Sequence, residues 1–351
     1  MVCRARIQNQ SQPMAKNIPF LFADNLRVNI PGRARPILSV SGFGVEKGRC
    51  LFILGENGAG KTTLLSALAG YLVPDSGDIS LNGHKVKPLS ERLVPGFAGI
   101  ERVEQTPQAN PFLTVSENLE KSLRSLPDKE ANRRYKSLVS LCHLKKLLEQ
   151  KTGSLSGGEM RRLSLALSLA HNPEVLLLDE PFAELDAQTR LEFLQILLAI
   201  KSTSHCALIL VSHQAQEAHW IADEIRVLKN GKWAESLHKK EGQFRPKSIL
   251  AARLLGYSNL VRVSDLQQPE GLEGKTGVSW VHIPPNSISF KSEVKHLSMG
   301  EFRLVQSYFD GERWHSLWKR DQLLIQVSGS TKPENENAEL VADDRRFLPF
   351  S

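Results

Sequence analysis

Gly55-Glu56-Asn57-Gly58-Ala59-Gly60-Lys61-Thr62 is a glycine-rich segment that matches the pattern G-x-x-x-x-G-K-[ST] at every fixed position. It follows the apolar run Leu51–Leu54 and precedes a predicted helix that begins Thr62-Thr63. A strand, a glycine loop and a helix in this order point backbone N–H groups and the positive helix end at a bound phosphate. In such a loop the lysine contacts the β- and γ-phosphates and the next hydroxyl binds Mg²⁺. Residues 55–63 are therefore predicted to bind a nucleoside triphosphate, with Lys61 on the phosphates and Thr62 on the metal.

A second segment, Val175–Glu180, has the pattern of a buried strand that ends in two carboxylates, Asp179 and Glu180. Ligands of α/β proteins bind at the carboxyl ends of parallel strands. We therefore predict that Asp179 binds Mg²⁺ and that Glu180 orients or deprotonates the attacking water. Together with the glycine loop, the two carboxylates predict a site of nucleotide hydrolysis.

The composition excludes several classes of protein. A chain of 351 residues accommodates two domains, because single cores rarely grow past about 250–300 residues. Its 41% hydrophobic and 24% charged residues are typical of a folded globular protein. It has neither an apolar run of about 20 residues nor a secretory signal, so we predict a cytoplasmic protein. The four cysteines contain no C-x-x-C pair and are predicted to be idle or buried thiols rather than disulfides or zinc ligands.

The net charge of +7 is concentrated near the N-terminus. Residues 1–18 form a basic polar tail, which is either solvated or in contact with an anionic membrane surface. No basic stripe with interleaved aromatic residues accompanies this charge, so we predict no nucleic-acid partner. The first 40 residues contain a single acid, Asp24, against Arg4, Arg6, Lys16, Arg27, Arg33 and Arg35.

The spacing of apolar residues predicts two domains. Residues 19–240 alternate short apolar strands with amphipathic helices, as in an α/β domain with a largely parallel sheet. Within them, residues 110–160 have helical patterns alone and predict a helical subdomain. Residues 248–351 contain short β-type runs that favour a small all-β barrel or sandwich, with a loop at Ser328–Glu339. The predicted strands are Phe20–Ala23, Leu51–Leu54, Gly99–Val103, Val175–Leu178, Ala207–Val211 and Ile225–Leu228, then Leu260–Val263, Gly277–Ile283, Ser287–Phe290, Phe302–Tyr308, His315–Trp318 and Leu323–Val327.

Four further segments accompany the phosphate loop and the carboxylates. The segment Leu155-Ser156-Gly157-Gly158-Glu159 resembles the signature motif of ATP-binding cassette (ABC) ATPases. Asp186 is similar to the D-loop aspartate of that family, His213 to its switch histidine and Gln105 to its Q-loop glutamine. The motifs occur in the order and at the separations of the family, between about Phe20 and Lys239. The sequence thus resembles an ABC cassette with a P-loop NTPase fold.

The resemblance implies ATP and Mg²⁺ as ligands. Gln105 would act in catalysis and contact the metal, and His213 would act in catalysis near the γ-phosphate. Ser156, Gly157, Gly158 and Asp186 would contact ATP in a head-to-tail dimer, where each signature caps the γ-phosphate held by the other copy. The family often stacks an aromatic residue on adenine, but the matching loop Ile30–Pro36 has none. An arginine, Arg33 or Arg35, is the candidate to stack there instead.

Other segments resemble importers. The run Ser212–Asp223 is similar to the S/T-H-x-x-x-E-A…A-D pattern of importer cassettes, and Ala251–Leu260 is similar to the entry into a C-terminal TOBE barrel. This resemblance implies an importer ATPase at the cytoplasmic face of a membrane, bound to permease subunits and supplied by a solute-binding protein. The Gly256…Asn259 stretch favours an oxyanion such as molybdate or tungstate among the solutes of this subgroup. The alternatives are an exporter ATPase, which usually lacks the C-terminal β-domain, and a non-transport ABC ATPase, which typically has two cassettes or a coiled-coil insert.

Overall fold

The computed structural model describes most of the chain between residues 20 and 350. The basic tail at residues 1–18 and the candidate site residues Arg33 and Gln105 lie outside the described residues. The described ranges are 20–32, 34–86, 96–103, 109–213, 216–239, 244–257, 259–262, 280–283, 288–290, 297–309, 312–320, 323–329, 337–342 and 348–350.

The six strands predicted between Phe20 and Leu228 all form, and strands that were not predicted lie between them. The strands are β1 (Leu21–Val28), β2 (Leu38–Ser39), β3 (Phe43–Val45), β4 (Cys50–Leu54), β5 (Ser76–Leu81), β6 (His84–Lys85), β7 (Ile100–Val103), β8 (Val175–Asp179), β9 (Ala207–Ser212), β10 (Glu224–Lys229), β11 (Lys232–His238), β12 (Leu260–Arg262), β13 (Trp280–His282), β14 (Ile288–Phe290), β15 (Leu297–Phe309), β16 (Trp314–Arg320), β17 (Leu323–Gly329), β18 (Asn337–Ala342) and β19 (Leu348–Phe350). The helices are α1 (Lys61–Leu68), α2 (Val115–Leu123), α3 (Asp128–Leu141), α4 (Gly157–Ala170), α5 (Ala187–Thr203), α6 (Ala218–Ile221) and α7 (Ile249–Leu254).

A six-stranded sheet in the order β11-β10-β4-β9-β8-β7 carries the predicted site. All its neighbouring strands are parallel except the pair β10 and β11. The prediction of an α/β fold with a largely parallel sheet is confirmed. Because the strands are parallel, their carboxyl ends share one edge, where Leu54, Asp179 and Ser212 end β4, β8 and β9.

The parallel sheet is buried on both faces, as its aliphatic runs predict. Cys50, Phe52 and Leu54 of β4 lie in one hydrophobic core, whereas Leu51 and Ile53 of the same strand lie in the other. Alternate residues of β8 and β9 divide between the two cores in the same way. The three described cysteines are buried and free, and burial raises the pKa of the Cys142 and Cys206 thiols to about 12. They are buried thiols, as predicted.

The predicted strand Phe20–Ala23 does not join the parallel sheet. The strand forms, as β1, but it pairs antiparallel with β2, β3 and β5 in a second sheet. Its side chains alternate between buried and exposed positions along part of its length. An apolar run of four residues cannot distinguish parallel from antiparallel partners, because the partners lie far away in the sequence.

Helices α2 and α3 and the first turns of α4 occupy the range of the predicted helical subdomain, whose boundaries stay a prediction. Both α2 and α4 begin with a capping box. In each box the N-cap side chain accepts a hydrogen bond from the backbone N–H three residues later. The glutamate at that later position accepts one from the N-cap backbone N–H. The N-cap residues are Thr114 and Ser156, and the matching glutamates are Glu117 and Glu159.

The C-terminal part forms two antiparallel sheets, β12-β13-β19 and β14-β18-β15-β16-β17, so the prediction of an all-β region is confirmed. The predicted strands form where they are described, with shifted ends; Val263, Gly277–Ser279 and Ser287 lie outside the described residues. The predicted loop Ser328–Glu339 is wrong at both ends, because β17 extends to Gly329 and β18 begins at Asn337. β18 pairs with β14 on one side and β15 on the other, and these backbone ladders outweigh the local polarity.

Helix α7 packs on the hydrophobic core of the parallel sheet. Phe244, Ala251, Leu254 and Leu255 belong to the same buried cluster as Phe52. After α7, the amide of buried Asn259 donates to the carbonyls of Ile283 and Gln326 and accepts from the backbone N–H of Gln326. Asn259 thus ties the start of β12 to β17 and to the end of β13. The division of the chain at residues 240–248 stays a prediction.

Candidate functional site: the nucleotide pocket

The phosphate loop lies between β4 and α1, as the sequence predicts. Gly60 caps α1 with a left-handed backbone (φ 102°), which glycine adopts without steric penalty. A Cβ atom at Gly55 would lie 2.6 Å from the carbonyl oxygen of Leu228 at the end of β10. The two glycines therefore let the loop turn tightly against the sheet edge and start α1 with its N–H groups facing the cavity.

The side chain of Lys61 is buried, with 7% of its surface exposed. Its ammonium donates to the carbonyl of Gly55 at 2.8 Å and to that of Glu56 at 3.3 Å, and lies 3.5 Å from Glu180 Oε1. A buried ammonium needs such partners. The loop thus holds a positive charge within reach of the second predicted carboxylate.

Glu180 has a left-handed backbone (φ 45°), although it is not a glycine. This conformation costs about 1–2 kcal/mol for a non-glycine residue. Strain of this kind persists where the surroundings enforce it, often at functional sites. Here the backbone N–H of Glu180 donates to Val211 at 3.0 Å, so β9 holds the residue that follows β8 in place.

His213 and Glu180 meet at the edge of the sheet. Nδ1 of His213 lies 2.9 Å from Glu180 Oε2, and the backbone N–H of His213 donates to the same oxygen at 3.3 Å. Glu180 is therefore fixed by His213 on one oxygen and faces Lys61 with the other. That both residues act in catalysis stays a prediction.

Arg102, at the end of β7, was not singled out in the sequence. Its guanidinium donates from Nη2 to Asp179 Oδ2 at 2.9 Å and from Nη1 to Ser66 Oγ at 3.0 Å. The two side chains face each other because β7 and β8 are neighbours in the sheet. The residue lies in a predicted strand where polar residues are uncommon, and that is the one signal the sequence offers.

A cavity of about 610 Å³ opens above the loop. The predicted residues Gly55, Glu56 and Ala59 belong to the loop but do not line the cavity. Ile37 and Val103 line the cavity and were not predicted. Ser156, Gly157, Gly158 and Asp186 do not line it, although all four are described. The cavity is lined by Ile37, Asn57, Gly58, Gly60, Lys61, Thr62, Thr63, Arg102, Val103, Asp179 and Glu180.

The signature segment is a helix start with an exposed face. The backbone N–H of Ser156 donates to Glu159 Oε2 at 2.8 Å, and this bond lowers the pKa of the Glu159 carboxyl. A Cβ atom at Gly158 would lie 2.5 Å from Cγ2 of Thr189, whereas a Cβ atom at Gly157 would meet no described atom within 4 Å. Packing within the chain therefore explains Gly158 but not Gly157.

Asp186 caps the next helix, α5. Its carboxylate accepts from the backbone N–H groups of Gln188 and Thr189 and from the Thr189 hydroxyl at 2.6 Å. The Thr189 hydroxyl is the main reason that the pKa of Asp186 lies below its usual value. Since Thr189 also packs against Gly158, Asp186 and the signature helix are held together.

Arg161 is a second residue that sequence reasoning missed. Its guanidinium donates to the carbonyls of Pro181 and Ala183 at 2.7 and 2.8 Å, and burial lowers its pKa. Arg161 lies one turn into α4, and its hydrogen bonds hold the segment directly after Glu180 against this helix. The signature helix and the carboxylate strand thus form one connected unit.

Comparisons with known proteins agree with this geometry. A family model described as ABC transporter matches residues 38–183. The molybdate/tungstate import ATP-binding protein WtpC of Thermococcus kodakarensis is 38% identical over 221 residues, which are 62% of this chain and 66% of that protein. WtpC of Pyrococcus horikoshii is 31% identical over 74% of this chain and 78% of that protein. The solved structure of cbiO1 from Clostridium perfringens, described as part of the ABC transporter complex cbiONQ, has 25% identity and a TM-score of 0.56, over 62% of this chain and 88% of that chain.

No helix within the described ranges is long and apolar enough to cross a bilayer. The phosphate loop, the paired carboxylates and the capped signature helix occupy the matched region, and the α/β cassette is shared with the solved structure. The chain therefore belongs to the ABC transporter family, among its import ATP-binding proteins, which are ATPases coupled to transport.

Proposed function

We propose that this chain hydrolyses ATP in the cavity above the phosphate loop and thereby drives uptake of an oxyanion such as molybdate or tungstate. The observation that carries the hydrolysis is the position of Glu180. Its two carboxylate oxygens lie between Lys61 and His213, next to the N–H groups of the loop. A carboxylate held beside the γ-phosphate position can accept a proton from water as the water attacks.

Each residue then has a distinct task. The loop N–H groups and Lys61 bind the β- and γ-phosphates and stabilise the charge that develops on them. Glu180 orients the water and accepts its proton, while His213 keeps the carboxylate in position. Gln105, a proposed metal ligand and catalytic residue, comes two residues after the end of β7 in the sequence.

The donor atoms present suit Mg²⁺. Thr62 in the first turn of α1 and Asp179 at the end of β8 both line the cavity, and both offer oxygen, the donor that Mg²⁺ prefers. The Asp179 carboxylate already faces a positive charge, that of Arg102, at 2.9 Å. We propose that Thr62, Asp179 and Gln105 hold the metal, which when bound supplies charge neutralisation at the β- and γ-phosphates.

The adenine would lie at the Ile37 end of the cavity. No aromatic residue occupies the loop before β2, and Ile37 lines the cavity while Arg35 is exposed nearby in the sequence. We propose that the base packs on the aliphatic surface of Ile37, with Arg35 or Arg33 over its other face. This makes the base contact weaker than an aromatic stack and leaves most of the affinity to the phosphates.

We further propose a head-to-tail dimer in which the signature of one copy closes the cavity of the other. The exposed face at Gly157 and the N–H groups that begin α4 form a second anion-binding helix end in a chain that already has one. In a mixed dimer of a Lys61→Ala chain and a Ser156→Ala chain, one site carries both changes and the other is intact. We expect about half of the wild-type ATPase activity per dimer. Equal loss at both sites would contradict the shared-site arrangement.

The partners and the location follow from the importer proposal. The dimer would bind permease subunits at the cytoplasmic face of the membrane, with an extracytoplasmic solute-binding protein supplying the solute. The two relatives described above are named for molybdate and tungstate, and this supports the oxyanion. Asn259 contributes little to that choice, because its amide is already bonded to backbone groups. We propose that the C-terminal sheets, whose sequence resembles a TOBE barrel, regulate hydrolysis rather than take part in it; the alternative is that they only support the dimer.

Gene replacement in the source organism tests this function. Deletion should abolish uptake of molybdate or tungstate, measured as cell-associated metal, and the wild-type gene should restore it. The Glu180→Gln gene should fail to restore uptake although the protein accumulates normally. Unchanged uptake of molybdate, tungstate and sulfate after deletion would refute the oxyanion. Absence of ATP turnover by the purified wild-type chain would refute the hydrolysis itself.

A further inference from the structure

Arg102 places a permanent positive charge beside Asp179, the carboxylate that is predicted to bind the metal. The pair is well shielded, since the side chains of Arg102 and Asp179 are 18% and 8% exposed. The second guanidinium nitrogen donates to Ser66 on α1, so the arginine spans β7, β8 and the helix that begins at the phosphate loop. It also lines the same cavity as Lys61 and Thr62.

A purely structural role explains this arrangement poorly. The Nε atom of Arg102 is buried and has no hydrogen-bond partner among the described residues, and an unpaired buried donor is destabilising. A neutral residue could join β7 to β8 without burying a charge. At this site the charge itself has an effect, because it attracts phosphate and repels a divalent cation over short distances in a shielded cavity.

We propose that Arg102 is a positioning residue that makes nucleotide binding less dependent on Mg²⁺. The guanidinium bonds to Oδ2 of Asp179 and fixes the carboxylate that would hold the metal. It supplies part of the positive charge that the phosphates need, and by repulsion it weakens the binding of the metal. The proposal rests on the proposed function in one respect, namely that nucleotide binds in this cavity.

Calorimetric titration of the full chain with ADP, once with EDTA and once with Mg²⁺, tests the proposal. We expect the ratio of the dissociation constant in EDTA to that in Mg²⁺ to rise about tenfold in Arg102→Met. The rise comes mainly from weaker ADP binding in EDTA. Arg102→Lys keeps the charge and should lie between the two. Mn²⁺ bound to the ADP complex, followed by electron paramagnetic resonance, should bind several-fold more tightly in Arg102→Met.

The matched control is Arg49→Met, which removes an arginine–aspartate pair at the opposite end of the same sheet (Arg49 Nη1 to Asp223 Oδ1, 3.1 Å). It should leave the ratio unchanged. A ratio in folded Arg102→Met equal to that of the wild type would overturn the proposal and leave Arg102 a structural role. If Arg102→Met does not fold, Arg102→Gln replaces it under the same criterion. Failure of the wild-type chain to bind ADP in either buffer would instead refute the nucleotide site.

Discussion

The two ends of the parallel sheet hold similar charges in different arrangements. At the amino end, Asp223 lies 3.1 Å from Arg49 and 2.7 Å from Lys201, and it accepts from the backbone N–H of Cys50 at 2.8 Å. At the carboxyl end, Asp179 and Glu180 face Arg102, Lys61 and His213. Ion pairs alone therefore do not distinguish a functional site from a structural one.

Three features separate the carboxyl end from the amino end. Lys61 and Arg102 line a cavity of about 610 Å³, whereas the cavity beside Arg49 and Asp223 at the amino end is smaller, at about 330 Å³. The loop residues Asn57, Gly58 and Gly60 line the cavity at the carboxyl end, and the backbone of Glu180 is held in a strained conformation. At the amino end the carboxylate bonds to two side chains and one backbone group, and its contacts serve to join the start of β4 to the segment before β10.

The largest effect that we expect comes from Glu180→Gln. Loss of the proton acceptor should reduce ATP hydrolysis by about two or more orders of magnitude, while nucleotide still binds, because Lys61 and the loop remain. Phosphate release and nucleotide titration measure the two quantities separately. Near-normal turnover in this variant would remove the difference that we draw between the two ends of the sheet.

Lys61→Ala should affect binding before it affects chemistry. The variant loses the buried ammonium that we place on the phosphates, and a charged hydrogen bond of this kind corresponds to about ten- to a hundredfold in affinity. Titration with ATP or ADP checks this expectation. Unchanged affinity would show that the loop N–H groups hold the phosphates without the lysine.

Asp223→Asn tests the amino end of the sheet. Burial alone would raise the pKa of Asp223, but the bonds from Lys201 and Cys50 outweigh it, and the pKa lies below its usual value. A depressed carboxyl pKa stabilises the fold above the pKa of the unfolded chain, and the effect is lost as the pH falls through the folded value. We expect the variant to lose about 1–3 kcal/mol of unfolding free energy at neutral pH, with ATP turnover little changed.

Denaturant unfolding at several pH values checks that prediction. The difference between wild type and Asp223→Asn should shrink as the solution becomes acidic, because both chains then carry a neutral group at this position. A large loss of turnover in a folded Asp223→Asn variant would show that the two ends of the sheet are coupled in catalysis.

The positions of the loop, the strand and the helix start could be predicted from the sequence because each is local, while the roles of their residues stay predictions. The glycine loop, the strand that ends at Asp179 and the helix start at Ser156 each depend on a few consecutive residues. Arg102 was not predicted because its contact with Asp179 requires β7 and β8 to be neighbours, and these strands lie more than seventy residues apart in the chain. The pairing of β1, the strained backbone of Glu180 and the contact of Ile37 with the cavity depend on long-range packing in the same way.

The smallest effect on stability that we expect comes from the two capping boxes. Thr114→Ala and Ser156→Ala each remove an N-cap side chain, which costs about 1 kcal/mol of stability. The two boxes have the same local geometry, with backbone donation to glutamate at 2.7 and 2.8 Å. Their surroundings differ, because Ser156 starts the helix that meets Thr189 and the segment after Glu180.

We therefore expect Thr114→Ala to retain ATP turnover and Ser156→Ala to lose much of it at the same loss of stability. Thermal unfolding of both variants establishes whether the stabilities match, and phosphate release under saturating Mg²⁺ and ATP measures turnover. If both variants keep their turnover, Ser156 is a helix cap and nothing more, and the proposal that the signature of one copy completes the cavity of the other loses its serine. If both lose turnover equally, the defect lies in the stability of the helices rather than in a contact with ATP. If Ser156→Ala loses ATP turnover and Thr114→Ala keeps it, the signature helix takes part in hydrolysis. The local geometry of its cap would not show this, because α2 has a similar cap.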